Sequence, residues 1–151
     1  MIAKVALDTN VLACAEGVND AARQALALAL IEALPLDGVV VPVQVLGELH
    51  DVLTRKGSRT RGEARTIVDE WLADYESVET SASVLCAATE LAGAHGLSIR
   101  DAVVLSAASE AGCRLLLSED MQDGFEWRGV TAANPFGATR HPALVGLLAR
   151  G

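Results

Sequence analysis

Five acidic residues stand either directly after apolar runs of the sequence or near the starts of segments with helical spacing. Asp8 follows an apolar run near the start of the chain, and Asp120 and Asp123 follow the late run "CRLLLS". Glu48 and Asp101 lie near the starts of two segments with helical spacing of apolar residues. A carboxylate near a core is costly unless it is hydrogen-bonded, paired or bound to a metal. Each acid taken singly also has a structural explanation, namely a turn, a helix cap or a solvated helix edge.

The elements that position these acids alternate between strands and helices. Apolar runs at 2–7, 39–41 and 113–118 are predicted strands, 129–135 is a predicted last strand, and 77–80 is either a brief strand or a connector. Helices are predicted over 21–34, 42–56, 61–74, 81–96 and 98–112. Apolar strands without polar alternation, separated by helices, indicate a parallel sheet. We therefore predict an α/β fold with helices on both faces of a parallel sheet.

A sheet of this kind would bring several of the acids together. Ligands of parallel α/β sheets bind beyond the carboxyl ends of the strands, which is where Asp8 and Asp120 lie. Clustered carboxylates repel one another unless cations occupy the cluster. Oxygen ligands suit Mg²⁺ or Mn²⁺, and the His and Cys residues have no spacing suited to zinc. One or two such ions can activate water and stabilise charge on a phosphodiester.

Composition narrows the class of protein. The chain has 151 residues of which 51% are hydrophobic, so a single domain with a substantial core is expected. The net charge of −8 argues against nucleic-acid binding by bulk electrostatics, although a divalent cation can reverse the local field at a cluster of acids. Cys14, Cys86 and Cys113 are predicted to be buried thiols of a reducing cytosol. No stretch resembles a leader or a membrane span, so a cytoplasmic location is expected.

Four motifs together resemble a known family. "LDTNVL", "VQVLGEL", "IRDAVVLSAA" and "LLLSED" occur in the order found in PIN-domain nucleases, and within these the chain is most similar to the VapC-type toxins of bacterial toxin–antitoxin pairs. The resemblance extends from Ile2 to about Pro135. It implies a doubly covered parallel sheet of about five strands in a nuclease domain at 1–136, followed by a C-terminal tail at 137–151. That tail is expected either to fray or to pair across a dimer.

The resemblance also implies roles for individual residues. Its catalytic acids, which are also metal ligands, would be Asp8, Glu48, Asp101 and Asp120. Asp123 matches a further position that is often acidic and would be an additional ligand, whereas Asn10 and Ser118 match residues that support the site. The implied activity is that of an endoribonuclease dependent on Mg²⁺ or Mn²⁺. The implied partners are an RNA substrate, a small cognate antitoxin and a second copy of the chain in a homodimer.

The densest group of basic residues lies between the helix with Glu48 and the next helix. It consists of Arg55, Lys56, Arg59, Arg61 and Arg65. Clustered cations of this kind contact RNA phosphates, although a solvated turn between helices has the same composition.

Other functions fit the sequence less well. Haloacid-dehalogenase-type phosphatases need a second Asp two residues after the first, where this chain has Asn10, and a Rossmann site needs a glycine-rich first turn, which is absent. A PIN fold that binds RNA or a partner without cutting is the remaining alternative. The complete set of acids counts against it, because a binding protein would be free to lose them.

Overall fold

The computed structural model describes residues 3–150 of the chain. Within this range the strands are β1 (Lys4–Leu7), β2 (Val39–Pro42), β3 (Glu76–Val78), β4 (Cys113–Leu117), β5 (Glu126–Trp127) and β6 (Val130–Ala133). The α-helices are α1 (Thr9–Ala15), α2 (Ala21–Ala33), α3 (Val43–Arg55), α4 (Arg61–Asp74), α5 (Ala82–His95), α6 (Ile99–Glu110) and α7 (Pro142–Arg150). A short 3-10 turn at Leu36–Gly38 precedes β2.

The strands form one sheet in the order β3-β2-β1-β4-β6-β5. All neighbouring pairs are parallel except β5 and β6, which are antiparallel with Trp127 opposite Val130. The expected five strands are therefore corrected to six, and the additional one is the two-residue strand β5. The tight turn between β5 and β6 has Arg128 at a φ of 45°, where Asn or Gly is the usual hairpin signal. The sequence consequently lacks the pattern that predicts this hairpin.

Helices cover both faces of the sheet. The chain passes from β1 to β2 and β3 through α1 to α4, and then returns past β1 to β4 through α5 and α6. Because crossover connections between parallel strands are right-handed, the two directions of travel place α1 to α4 on one face and α5 and α6 on the other. Every residue of β2 is buried, as are residues 5–7 of β1. The predicted doubly covered parallel sheet is confirmed.

Most helix boundaries follow from local sequence signals. Asp20 and Ser98 are the N-caps of α2 and α6, and their side chains accept backbone N–H groups of the first turn. Gly96 ends α5 in the left-handed conformation, with a φ of 67°. The sequence predicts Pro42 as the first residue of α3, but Pro42 is the last residue of β2 and α3 begins at Val43. Its extended ψ of 139° fits the end of a strand.

Helix α1 is not predicted from the sequence. It begins directly after Asp8, has seven residues, and is buried from Val11 to Ala15. It packs against both α2 and α3. A short helix enclosed on most sides has no polar face, so it lacks the periodicity by which an amphipathic helix is found.

Three further features complete the fold. Beyond residue 136 the chain forms α7, which is anchored by the fully buried Leu144. Cys14 and Cys113 are buried as predicted, whereas Cys86 is exposed on α5, because its position on that helix faces solvent. Between residues 3 and 150, no helix combines the length and apolar character that a bilayer crossing requires.

Candidate active site

The site forms where two neighbouring strands end. Leu7 of β1 lies opposite Leu117 of β4, so the residues that follow, Asp8 and Ser118, emerge side by side. The N–H of Asp8 donates to the carbonyl of Leu117 at 3.0 Å, which extends the ladder by one bond. In the strand order of the sheet, the chain continues from β1 to β2 on one side of β1, whereas β4 lies on the other side of β1. Such a reversal of strand order opens a crevice at the carboxyl edge of the sheet.

Asp8 is a buried carboxylate, and no positively charged side chain within residues 3–149 pairs with it. It is the N-cap of α1 and only 4% exposed. One oxygen accepts the backbone N–H of Thr9 at 2.8 Å, and the other accepts the hydroxyl of Ser118 at 2.7 Å. Burial raises the pKa of Asp8 to about 6, the two hydrogen bonds oppose this rise, and the charges of Asp101 and Glu48 add to it. The ionised form of Asp8 is therefore unfavourable in the fold, and a bound cation would stabilise it.

Asn10 and Ser118, the two residues predicted to support the site, connect the strand ends by hydrogen bonds. The side-chain amide of Asn10 donates to Ser118 Oγ at 3.2 Å and to Asp120 Oδ2 at 3.1 Å. Its carbonyl oxygen accepts the N–H of Glu119 at 3.2 Å, and the N–H of Asp120 donates to Ser118 Oγ at 3.1 Å. The Ser118 hydroxyl thus accepts two hydrogen bonds and gives its own proton to Asp8. This network holds Asp120 and Asp8 on one side of the crevice.

Glu48 reaches the site from the second turn of α3 and is already paired. Its carboxylate accepts the Thr9 hydroxyl at 2.6 Å, Arg100 Nε at 3.0 Å and the Gln44 amide at 3.2 Å. Burial by itself would raise the pKa of Glu48, but these hydrogen bonds and the charge of Arg100 outweigh it and leave the pKa below its ordinary value. Glu48 is therefore held as a carboxylate in the structure.

Asp101 reaches the site from the first turn of α6. Its backbone N–H donates to Ser98 Oγ at 3.1 Å, which is one bond of the capping box expected from the sequence. Its carboxylate lines the same crevice as the other acids. Burial raises the pKa of Asp101, a separate hydrogen bond of its carboxyl group with Ser98 opposes the rise, and the charges of Asp120 and Glu48 reinforce it. Capping and a place in the site are thus both present.

The four acids of the predicted catalytic set line one open cavity of about 540 Å³. They come from four different places in the fold: the end of β1, α3, α6 and the turn after β4. The other residues that line this cavity are Thr9, Asn10, Ala13, Val18, Asn19, Val52, Lys56, Ser98, Arg100 and Glu119. Asp123 is not among them, because its carboxylate is exposed and accepts the N–H of Asn134 at 2.8 Å. The ligand role implied for Asp123 stays a prediction.

The donor set of the cavity fits a hard divalent cation. It offers carboxylate, hydroxyl and amide oxygens and no His or Cys, which is the chemistry that Mg²⁺ and Mn²⁺ prefer. Asp8, Asp101 and Asp120 form no ion pair within residues 3–149, and burial raises the pKa values of Asp8 and Asp101. Between residues 3 and 149, no three acidic, His or Cys side chains are already arranged to hold one ion. Ion binding would therefore require side chains at the cavity to turn inward.

The predicted basic residues divide into different roles. Lys56 lines the cavity. Arg55 pairs with Asp51 on its own helix, and Arg65 pairs in the same way with Asp69. Arg59 donates to the backbone carbonyls of Glu16 and Gly57, so it holds the loop after α3 in place. Arg61 is exposed at the start of α4. The RNA contact expected of this group stays a prediction.

Three contacts of the site are not anticipated by the sequence analysis. Arg100 pairs with Glu48, Thr9 bonds to the same carboxylate, and Glu119 forms an ion pair with Arg23 of α2. The only available signal is adjacency in sequence, because Arg100, Thr9 and Glu119 each stand next to a predicted site acid. Adjacency does not indicate which residue on a distant helix will be the partner.

Comparison with known proteins agrees with this geometry. The model of the PIN domain family matches residues 5–125, which include all of the acids described above. No curated protein matches the sequence. The solved structures with a similar fold include VapC20 of Mycobacterium tuberculosis, described as a sarcin–ricin loop cleaving toxin, with a TM-score of 0.65 and 21% identity over 75% of this chain and 87% of that one.

Two further structures show the same likeness. A toxin–antitoxin complex from Klebsiella pneumoniae has a TM-score of 0.66 and 19% identity over 88% of this chain and 98% of that one. VapBC2 from Rickettsia felis, bound to a promoter DNA fragment, has a TM-score of 0.60 and 17% identity over 86% of this chain and 97% of that one. At such identities the likeness is one of fold. The family model spans well over half of the chain, and this protein therefore belongs to the PIN domain family.

Proposed function

We propose that this protein is an endoribonuclease that depends on Mg²⁺ or Mn²⁺ and acts as the toxin of a toxin–antitoxin pair. The observation that carries the proposal is the convergence of Asp8, Glu48, Asp101 and Asp120, from four separate elements, on one cavity at the carboxyl edge of the sheet. A purely structural explanation would assign each acid to its own cap or turn. It would not explain why all four line the same space.

The residues of the cavity would hold the ion and orient the substrate. Ser118 and Asn10 hold Asp8 and Asp120 by hydrogen bonds, and Thr9 holds Glu48, so three of the four carboxylates lie near the place of the ion, and side chains would turn inward as it binds. Bound Mg²⁺ or Mn²⁺ supplies water activation and neutralisation of phosphodiester charge in such sites. The acids Asp8, Glu48, Asp101 and Asp120 would be its ligands.

Substrate and partners are proposed by analogy with the structural relatives. VapC20 is described as a toxin that cleaves the sarcin–ricin loop, and the other two relatives are toxin–antitoxin complexes. We infer RNA as substrate, a small antitoxin as the silencing partner, a homodimer as the active assembly and the cytoplasm as the location. An acidic toxin gains nothing from net charge in recruiting its antitoxin, so the antitoxin would cover apolar surface near the site with an amphipathic or extended segment.

The test is cleavage of total cellular RNA by the purified protein with Mn²⁺, with Mg²⁺ or with EDTA. We expect discrete fragments with either ion and none with EDTA. Asp8→Asn should abolish the fragments, whereas Asp69→Asn, which removes the same charge from an exposed position on α4, should leave them unchanged. Intact RNA under every condition, with folded wild-type protein, would refute the proposed nuclease activity.

The alternative of a PIN fold that binds without cutting is separated by the same samples. A binding protein would retard RNA equally with and without the ion, and expression of wild type or of Asp8→Asn would affect growth alike. The nuclease proposal requires growth arrest by wild type and relief of that arrest by Asp8→Asn. The pair of assays therefore gives opposite results for the two functions.

A further inference from the structure

Among the described residues, two positively charged side chains line the acidic cavity. Lys56 follows the last residue of α3, and Arg100 is the second residue of α6. The acids that line the same cavity are Asp8, Glu48, Asp101, Glu119 and Asp120. A polyanion entering this cavity is repelled by the acids, so the two cations mark the places where it can make contact.

The Arg100 guanidinium is attached to the site by one edge. Its Nε–H donates to Glu48 Oε1 at 3.0 Å, and its side chain is 69% exposed whereas that of Glu48 is 14% exposed. Within residues 3–149 the terminal nitrogens of Arg100 form no hydrogen bond with the protein. A guanidinium presents five N–H donors in a planar fork that matches two oxygens of a phosphate. The unused side of this fork is open to solvent.

Support of Glu48 does not account for an arginine at this position. Glu48 already accepts hydrogen bonds from Thr9 and Gln44, and ion pairs with a well-exposed partner contribute little to stability. A positive charge in the first turn of a helix is also unfavourable, because the helix dipole places positive charge at the N-terminus. Glu48 and the nearby charges of Asp101 and Asp51 balance the Arg100 charge and raise its pKa. Glu48 uses only the Nε edge, so the terminal N–H groups remain available to a ligand with negative charge.

The Glu48–Arg100 pair stands at a boundary between two concave surfaces. Both residues line the acidic cavity and also an open cleft formed with Gln44, Gly47, Asp51 and Thr80. A single-stranded chain that lies across the site and continues into the cleft has to pass the Arg100 side chain. The free side of the guanidinium thus lies on the path of such a chain.

We propose that Arg100 binds the phosphodiester backbone of the RNA substrate at the rim of the cavity, with Glu48 as the positioning residue that holds its Nε edge. This inference rests on the proposed function and identifies a substrate contact within it. The terminal N–H groups of Arg100 donate to two non-bridging oxygens of one phosphate. Lysine at this position supplies the charge but not the two-pronged geometry.

The test compares Arg100→Gln and Arg100→Lys with wild type in binding of a labelled single-stranded RNA, with Ca²⁺ replacing Mn²⁺ so that binding is separated from cleavage. Arg114→Gln is the matched control, since it removes the same charge from an exposed residue near the start of β4, at the opposite edge of the sheet. We expect Arg100→Gln to weaken binding about tenfold, as loss of one charge-assisted contact predicts. The slope of log affinity against log salt should fall by about 0.7, the value for one phosphate on a single strand.

The remaining outcomes decide the matter. Arg100→Lys should keep the salt slope and recover part of the affinity, and the KM for cleavage with Mn²⁺ should rise in Arg100→Gln more than kcat falls. The Mn²⁺-induced rise in Tm should be retained in every variant.

Unchanged RNA affinity and slope in Arg100→Gln, or loss of its Mn²⁺ response with normal RNA binding, would overturn the inference and leave the nuclease proposal intact. A wild-type protein that neither binds nor cuts RNA would overturn both.

Discussion

Replacement of Asp8 by asparagine provides the sharpest test of the site. Asp8 is almost fully buried, and burial raises its pKa from an ordinary 3.8 to about 6 in the folded protein. The folded state therefore retains the Asp8 proton over a pH range in which the unfolded state has released it. As pH rises through this range the free energy of unfolding of the metal-free protein falls, because ionised Asp8 is tolerated less well in the fold than in water.

The size of this effect follows from the pKa difference. A rise of about two pKa units corresponds to about 3 kcal/mol, at about 1.4 kcal/mol for each unit. The Asp8 contribution is fully favourable below the unfolded pKa of 3.8 and is lost as pH rises through about 6. Between pH 4.5 and pH 7.5 this single group should lower the stability of the metal-free wild type by about 2 kcal/mol.

The asparagine in Asp8→Asn does not titrate, but it loses one hydrogen bond. Ser118 Oγ already accepts from Asn10 and from the N–H of Asp120, and its only proton goes to Asp8. The other Asp8 oxygen accepts the Thr9 N–H. The new NH₂ group of asparagine must therefore face one of two groups that cannot accept a hydrogen bond from it. One is the Thr9 N–H, which is itself a donor, and the other is the Ser118 hydroxyl, whose lone pairs are both occupied. That mismatch costs about 1 kcal/mol. We therefore expect the metal-free variant to be close to wild type in stability at pH 4.5 and more stable by about 1–2 kcal/mol at pH 7.5.

The assay is urea unfolding of EDTA-treated wild type, Asp8→Asn and the surface control Asp69→Asn, each at about pH 4.5, 6 and 7.5. The stability difference between wild type and Asp8→Asn should change by about 2 kcal/mol across this range, and the difference between wild type and Asp69→Asn should change little. Added Mn²⁺ should raise the Tm of wild type and of the control, and raise that of Asp8→Asn much less. Parallel pH curves for wild type and Asp8→Asn would refute the reasoning, since they would mean that Asp8 carries no buried, unbalanced charge.

Three further variants examine the rest of the site. Ser118→Ala should lower the free energy of unfolding by about 1–3 kcal/mol in urea titrations, because it leaves the hydrogen-bonding partners of Ser118 Oγ, including Asp8, unsatisfied. Without metal, Asp101→Asn should melt at the wild-type temperature or above. With Mn²⁺ it should lose most of the ion-induced rise in Tm and cleave RNA orders of magnitude more slowly than wild type. A less stable but fully active variant would show that Asp101 is only a cap. Lys56→Ser with Arg61→Ser should weaken RNA binding and flatten its salt dependence without changing the Mn²⁺ response, and an unchanged salt slope would remove both residues from the RNA path.

Much of the fold could be predicted because its signals are local. The capping residues Asp20 and Ser98, the C-cap Gly96 and the non-alternating apolar runs at 39–41 and 113–117 all report on short stretches of chain. Elements without such a signal were missed. Helix α1 is enclosed by other helices and shows no polar face, and β5 is defined only by its pairing with β6.

The candidate acids could also be predicted, because strand ends and helix starts in a parallel sheet meet at one edge. The sequence by itself therefore predicted four of the five acids that line the cavity, Glu119 being the exception, and its motifs indicated the PIN domain family. Tertiary structure alone decided their electrostatic states. Asp8 has no cationic partner in the part of the chain that the structure describes, whereas Glu48 is paired with Arg100, 52 residues away along the chain. Burial and ion pairing depend on which distant segments pack together, so local sequence patterns contain no information about them.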